Sequence, residues 1–210
     1  ISLHIGSFLA VTFYFRKDVV NFFENRVLFF KVLISSLPVM IVGYFLVEFN
    51  IIEQIRNIEV IAWTTTLFGI LLYISDKFKI NKSIENDLNY KSIFFIGLFQ
   101  ILSLVPGVSR SGIAITAARF LQFKRVDSAR ISFLLSIPIL GAISIFGFKN
   151  LLVSEDIQFT QSNLFSIVIS FFFSLFTIKF FLKYINRFNL NVFVYYRVLL
   201  GLLLLVFTYL

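Results

Sequence analysis

The chain has 210 residues, of which 59% are hydrophobic and only 14% are charged. Soluble domains carry about 25% charged residues, so the composition excludes an ordinary soluble domain and indicates an integral membrane protein. The absence of cysteine excludes disulfide and thiolate chemistry, and a single histidine argues against a zinc site made by the protein alone.

The net charge of +8 would suggest a nucleic-acid partner in a soluble protein. Here lysine and arginine collect in the short connections between apolar segments, which is the orientation signal of membrane proteins. We therefore expect a multi-pass protein of the membrane that binds lipid and no nucleic acid.

Apolar segments follow one another along the whole chain. A helix that crosses a bilayer needs about 20 residues, and the candidate segments are 1–15, 32–47, 60–75, 131–148, 162–182 and 190–210. Two shorter apolar arms, 92–105 and 113–123, flank a break. The sequence thus predicts an all-α polytopic fold, one membrane domain over 1–210 with about six transmembrane helices.

Loop charges predict how the chain is threaded. The connections 16–31, 76–91, 119–130 and 183–187 are basic and are expected in the cytoplasm, whereas 48–59 and 154–161 are dominated by carboxylates. A single crossing by 92–123 would put the basic cluster 119–130 outside. We therefore predict that 92–123 is a re-entrant helical hairpin that enters and leaves from the cytoplasmic side.

The break reads VPGVSRSGIAIT, at 105–116, and residues 106–112 are predicted to form the tip of the hairpin. A non-helical turn at membrane depth must be buried in protein or line a wet cavity. Gly107 and Gly112 permit close backbone approach, and a helix N-terminus favours anions. Arg110 adds a fork of donors between Ser109 and Ser111, so the pattern indicates a phosphate site. The alternative is that Arg110 reaches the surface or pairs with a carboxylate inside the bundle.

The stretch 97–116 resembles the second signature of the bacterial undecaprenyl-diphosphate phosphatases, the bacitracin-resistance phosphatase family. The shared residues are Gly97, Gln100, Pro106, Gly107, Ser109, Arg110, Ser111 and Gly112. Similar stretches run along essentially all of the chain. Where the family has threonine two places after the motif glycine, this chain has Ala114, and Thr116 supplies a hydroxyl two residues later. The family's first signature, with paired glutamates and a histidine, is absent, so we expect an N-terminally truncated representative.

The resemblance implies an enzyme of the bacterial plasma (inner) membrane that hydrolyses undecaprenyl diphosphate to undecaprenyl phosphate. This product is the lipid carrier for peptidoglycan synthesis, and the implied activity also bears on cell shape and bacitracin resistance. Arg110, Ser109 and Ser111 would be catalytic, and Gly107, Gly112 and Thr116 would bind the substrate phosphate. A divalent cation, Mg²⁺ or Ca²⁺, would be held by carboxylates of the missing first signature, with no metal ligand in this chain. The implied fold contains inverted repeats.

Other polar residues carry weaker predictions. Arg197 is a deeply placed charge, for which a functional contact and a side chain that reaches the inner surface are equally open. Within the site it is expected to be only a secondary phosphate contact or a structural one. Gln100 is expected to brace the hairpin through a hydrogen bond, with Pro106 as structural support. His4 is interpreted as a packing residue, and Asp76 as a structural residue at the end of a helix. The clusters 77–91 and 119–130 are expected to orient the protein against anionic lipid.

Two further function classes remain open at this point. A transporter or flippase of a phosphorylated prenyl lipid would also use broken helices and a midplane arginine. A purely structural membrane subunit would leave the VPGVSRSG turn without a purpose. The acid-phosphatase-like lipid phosphatases need several histidines, and one histidine argues against them. Whether the protein is a homo-oligomer is also open.

Overall fold

The structure is a computed structural model that describes residues 2–24, 26–153 and 161–210, and this part of the chain contains helices without a named β-strand. Eleven α-helices are defined within it. They are α1 Ser2–Tyr14, α2 Arg16–Glu24, α3 Arg26–Glu48, α4 Ile51–Ile55, α5 Ile58–Asp76, α6 Ile84–Asp87, α7 Tyr90–Ile101, α8 Arg110–Phe120, α9 Arg125–Val153, α10 Gln161–Arg187 and α11 Asn191–Tyr209. A 3₁₀ turn, Leu102–Leu104, extends α7.

Five helices in the described part are long and apolar enough to cross a membrane: α3, α5, the Arg125–Ile145 part of α9, α10 and α11. The prediction of an all-α, multi-pass membrane protein is therefore confirmed. The first of the six expected spans, 1–15, is the shorter helix α1 of 13 residues. The basic connection after it begins with a separate helix, α2.

The chain divides into two compact units. Unit 1 contains residues 1–33 and 133–184, and unit 2 contains residues 34–132 and 185–210. Helices α3, α9 and α10 each contribute to both. The phosphate-site motif lies in unit 2.

In unit 1, helices α1 and α10 run in the same direction along a seam of small residues. The Ser7 hydroxyl lies 3.2 Å from that of Ser170 and 3.0 Å from that of Ser174. Ser170 also donates to the carbonyl of Leu3 at 2.8 Å. Beside them, a Cβ at Gly6 would run into the backbone of Ile167. Small side chains let the helix backbones approach, which is how helices associate inside a bilayer.

In unit 2, helices α5 and α11 form an antiparallel pair. Gly69 packs on Arg197, and Gly201 packs on Thr66, whose hydroxyl occupies the place that a Cβ would need. At the other end of the pair, the Asp76 carboxylate accepts the backbone N–H of Leu190 at 3.3 Å. The α5–α11 pair contacts the turn between α7 and α8, through Thr64 and Arg197.

Helices α7 and α8 are the arms of a hairpin, and its turn lies against α5. The Thr64 hydroxyl of α5 donates to the carbonyl of Pro106 in the turn. Along the axis of α5, Thr64 lies about 18 Å from Asp76, because an α-helix rises about 1.5 Å per residue. The far end of α8 lies near Asp76, because Arg119 in its last turn donates to the Asp76 carbonyl at 3.1 Å. The turn thus stops partway along α5, whose nineteen residues would extend about 28 Å.

One of the predicted basic clusters has another role in the structure. Arg119 and Arg125 were both expected to face anionic lipid, but the Arg119 side chain is 0% exposed. Arg125 makes a two-pronged pair with Asp76, at 2.7 Å and 3.0 Å. Arg119 Nε lies 3.4 Å from the same carboxylate. The lipid-facing interpretation is wrong for these two arginines, because both are drawn to one carboxylate at the end of α5.

Gly97 provides a test of the packing of the hairpin. A Cβ at this position would collide with the backbone carbonyl of Ser35 on α3, so Gly97→Ala is expected to cost about 1–3 kcal/mol of stability. Gly43→Ala is the matched control on α3, since its Cβ would meet only the flexible end of Leu104, at 3.3 Å. Thermal unfolding in detergent should show a clearly lower Tm for the first variant. Equal Tm values would contradict this packing.

Candidate phosphate-binding site

The turn between the hairpin arms is shorter than the sequence suggested. Residues 106–112 were predicted as the tip, but α8 already begins at Arg110. The reason is that Ser109 caps the helix: its Oγ accepts the N–H of Gly112 at 3.2 Å, and its carbonyl accepts the N–H of Ile113 at 2.9 Å. Arg110, Ser111 and Gly112 therefore form the first turn of α8, where backbone N–H groups lack partners within the helix.

Helix α5 holds the backbone of the turn. The Thr64 hydroxyl donates to the carbonyl of Pro106 at 2.6 Å, and the Thr65 hydroxyl donates to the carbonyl of Gly107 at 3.3 Å. Gly107 has φ of +88° and a Cβ there would strike Thr64 and Ile61, so only glycine fits. The carbonyls that lipid could not satisfy are thus bound by protein.

Arg197 reaches the same turn from α11. Its Nη2 donates to the carbonyl of Gly107 at 3.0 Å. Its Nη1 would lie 3.7 Å from a Cβ on Gly112, which places the guanidinium beside the first turn of α8. Its Nε is buried without a hydrogen-bond partner in the described part of the chain. Arg197 therefore supplies a second cation at the turn, and its Nε–H can still donate a hydrogen bond.

Arg110 is partly buried at the first position of α8. No hydrogen bond or ion pair joins its guanidinium to any residue in the described ranges. The alternative in which Arg110 pairs with an internal carboxylate is therefore not seen there. A partly buried guanidinium without an internal partner in the described ranges, on a helix N-terminus that Arg197 also reaches, is arranged to bind an anion.

The other predicted residues of the motif have different surroundings. Ser111 is exposed and its Oγ lies 3.3 Å from that of Ser109. Thr116 lies one helical turn beyond Gly112, is buried, and donates to the Gly112 carbonyl at 2.8 Å. Its predicted contact with phosphate stays a prediction. Pro106 acts through its carbonyl, which Thr64 binds.

Gln100 is buried to 1% exposure on α7. Neither atom of its amide has a hydrogen-bond partner within the described residues, so the bracing hydrogen bond is not observed there and remains a prediction. His4 lies in α1, within unit 1.

Thr64 and Thr65 were not predicted as part of the site. The signal for them was present in the sequence, because three consecutive threonines, 64–66, interrupt an otherwise apolar helix. Hydroxyls of this kind satisfy backbone groups inside membranes. The three threonines could therefore have identified α5 as the helix that binds the backbone of the turn.

Within the described residues, no cluster of the usual metal-ligand side chains lies at the turn. The described part of the chain contains no group of three or more histidine, cysteine, aspartate or glutamate side chains that could hold a cation. Asp76 lies at the far end of α5 from the turn. The donors that the turn does present are guanidinium, hydroxyl and backbone N–H groups, which suit an anion and not a cation.

Comparison with known proteins gives the same family throughout. The family described as bacitracin resistance protein BacA matches residues 1–203. An undecaprenyl-diphosphatase of Pelagibacter ubique is 47% identical over 210 residues, which is all of this chain and 82% of the relative. Proteins with the same name from Saccharophagus degradans and Jannaschia sp. are 37% and 33% identical, over 96% and 100% of this chain and 80% and 83% of their own lengths. The resemblance seen in the PGVSRSG motif is confirmed, and the chain belongs to the bacitracin resistance protein BacA family.

Proposed function

We propose that this protein hydrolyses undecaprenyl diphosphate, releasing inorganic phosphate and undecaprenyl phosphate. The family and the names of the relatives support this activity. The observation in the structure that best supports it is the meeting of Arg110, Arg197 and the N-terminus of α8 at one turn. No observation on the site favours the transporter, and the relatives' names favour the phosphatase.

The arginines and the helix start have complementary parts in this reaction. Hydrolysis adds water to the terminal phosphorus and breaks its bond to the bridging oxygen, so negative charge spreads over the phosphoryl oxygens and the leaving phosphate. Arg110 would bind these oxygens with two parallel N–H donors. Arg197 and the backbone N–H groups of Arg110 and Ser111, at the start of α8, would stabilise the same charge. The attacking water and its base are not assigned to residues of the turn.

Ser109 and Ser111 would support this anion pocket in different ways. Ser109 fixes the start of α8 by capping it, which aims the helix N-terminus at the phosphate. Ser111 is exposed beside it and its hydroxyl can donate to a phosphoryl oxygen. Gly107 and Gly112 keep the backbone open to the ligand, and Thr116 would act through the carbonyl of Gly112.

The prenyl tail would remain in the membrane while the diphosphate enters the turn. The hairpin would enter and leave from one face of the bacterial inner membrane, as the loop charges predict. Exposed apolar side chains are abundant on α5 and α11, among them Leu67, Ile70, Leu199 and Leu203. Such a surface suits lipid chains of many lengths.

A divalent cation, Mg²⁺ or Ca²⁺, is part of the proposal through the family resemblance alone. The described residues do not supply its ligands, and no step is assigned to it. We expect that EDTA stops phosphate release and that added Mg²⁺ or Ca²⁺ restores it. Full activity in EDTA would remove the cation from the proposal.

Replacement of Arg197 tests its membership of the site. We expect Arg197→Gln to lower kcat/KM for phosphate release by about 10–100-fold, because one of two cations at the turn is lost. Arg197→Lys keeps the charge and should recover part of that loss. Lys183→Gln is a control that removes one cation from an exposed site on α10. If Arg197→Gln lowers only the Tm and leaves turnover per folded protein unchanged, Arg197 is structural.

The activity itself is tested with the purified protein in detergent. Phosphate release from undecaprenyl diphosphate is measured against a matched sample of undecaprenyl phosphate, which should release none. A vesicle assay that follows movement of the lipid between leaflets distinguishes the transporter. Movement without phosphate release by the folded protein would overturn the proposal.

A further inference from the structure

A basic cleft lies within unit 1. The turn between α7 and α8, to which Arg110 and Arg197 contribute and which we call the arginine turn, belongs to unit 2. The cleft has a volume of about 520 Å³. It is lined by the end of α1, the start of α2 and the middle of α10, with the residues Phe13, Tyr14, Arg16, Lys17, Phe172, Leu175, Phe176 and Lys179. Three cations thus share a wall with four aromatic rings and a leucine.

The parallel seam of α1 and α10 explains why these cations meet. Ser2 pairs with Asn163, and Ser7 with Ser170, so the two helices advance together along the seam. Continued to the end of α1, this register brings Arg16 and Lys17 level with Lys179. Because α1 is followed directly by α2, the two cations at that junction stay beside α10.

The charge of the cleft is not balanced by its own lining. None of its eight lining residues is acidic. Asp18 is the one carboxylate among the described side chains of unit 1, and it is buried at 8% exposure and does not line the cleft. Arg16 lies 5.0 Å from the centre of the Phe13 ring, an arrangement that leaves its N–H groups available. The cleft therefore attracts anions.

The apolar part of the cleft identifies the kind of anion. Phe172 and Phe176 are 62% and 70% exposed and lie on α10, a helix long and apolar enough to cross the membrane. A free phosphate would leave these rings without a partner, whereas an anionic phospholipid places its headgroup among cations and its acyl chains on an apolar wall. The connection 16–31 and the end of α10 are both predicted on the cytoplasmic side from their charge.

We propose that the cleft formed by Arg16, Lys17 and Lys179 with Phe172 and Phe176 binds an anionic glycerophospholipid of the cytoplasmic leaflet. This lipid is neither the substrate nor a ligand of the arginine turn. It holds the α1–α2 junction against α10 through its headgroup. The proposal stands independently of the hydrolysis reaction.

The test measures lipid binding to the whole purified protein by native mass spectrometry. Phosphatidylglycerol and phosphatidylcholine with identical acyl chains are titrated into the detergent-solubilised protein. The triple variant Arg16→Gln, Lys17→Gln, Lys179→Gln is compared with Arg56→Gln, Lys183→Gln, Arg187→Gln, a control that removes three exposed cations outside the cleft lining. Since all six side chains are exposed, both proteins are expected to fold, and thermal unfolding checks this.

We expect phosphatidylglycerol to bind more tightly than phosphatidylcholine. Each cation removed from the cleft should weaken phosphatidylglycerol binding by about fivefold, and the control triple should change it by less than about twofold. Among single variants, Lys179→Gln should weaken binding and Lys179→Arg should preserve it. Lys183→Gln, on the same helix but outside the cleft lining, should behave as wild type.

Three results would overturn the proposal. Equal losses in the two triple variants would mean that overall charge, and not the cleft, attracts the lipid. Displacement of phosphatidylglycerol by excess inorganic phosphate would mean that the cleft recognises a free anion. A protein dimer whose population falls only in the cleft variants would mean that a second copy of the chain occupies it.

Discussion

Replacing Arg110 with alanine is expected to lower kcat/KM for phosphate release by about 10²–10³-fold or more, the size of effect seen when a donor to a developing charge is removed. The Tm should stay almost unchanged. The reason is that the Arg110 guanidinium has no hydrogen bond or ion pair within the described residues, so the folded protein loses no internal contact. Parallel phosphate-release and thermal-unfolding measurements on the same preparation check both parts.

Two further variants make this result specific. Arg110→Lys keeps a positive charge but loses the two parallel donors, and its activity should fall between wild type and alanine. Arg56→Ala removes an exposed arginine whose contact with Glu53 is 3.8 Å long, and it should have no effect. If Arg110→Ala turns over like wild type, the guanidinium does not bind the diphosphate, whatever the activity of the other variants.

The sequence was sufficient to place Arg110 at a break in the helix, because the relevant information is local. Proline, two glycines and two serines within a few residues dictate a break in the helix, and a helix that restarts there exposes its N-terminus. Apolar segment lengths and loop charges similarly predicted a polytopic all-α protein. The boundary of the turn was misjudged because Ser109 caps α8 and draws the next three residues into the helix.

The contacts that complete the site could not be predicted, because they join residues distant in the chain. Gly107 and Arg197 are 90 positions apart, and Pro106 and Thr64 are 42 apart. A single sequence states which residues are polar within apolar helices, but not which helices become neighbours. Arg197 was therefore a candidate with two equal interpretations, and Thr64 was missed. The same limit placed Arg119 at the lipid surface instead of in a buried pair.

That buried pair leads to the largest expected effect on stability. Asp76 accepts two hydrogen bonds from Arg125, lies 3.4 Å from Arg119 Nε and accepts the N–H of Leu190. One carboxylate at the end of α5 thus joins the end of α8 and the start of α9 to the start of α11. Because Arg119 is 0% exposed, removing Asp76 leaves a buried guanidinium without a counter-charge. Asp76→Ala is expected to lower the free energy of unfolding by about 3–5 kcal/mol.

The graded variants separate charge from packing. Arg125 is 29% exposed, so Arg125→Met leaves Asp76 paired with Arg119 and should cost clearly less than Asp76→Ala. Glu85→Gln removes an exposed carboxylate of unit 2 and should leave the Tm unchanged. Unfolding in detergent, followed by circular dichroism, gives all three values. The contact between Asp76 and Arg119 also holds the far end of α8, the helix that begins at the phosphate site. Asp76→Ala should therefore in addition lower phosphate release in the fraction that remains folded. A loss for Arg125→Met as large as that for Asp76→Ala would instead make the Arg125 pair the principal anchor.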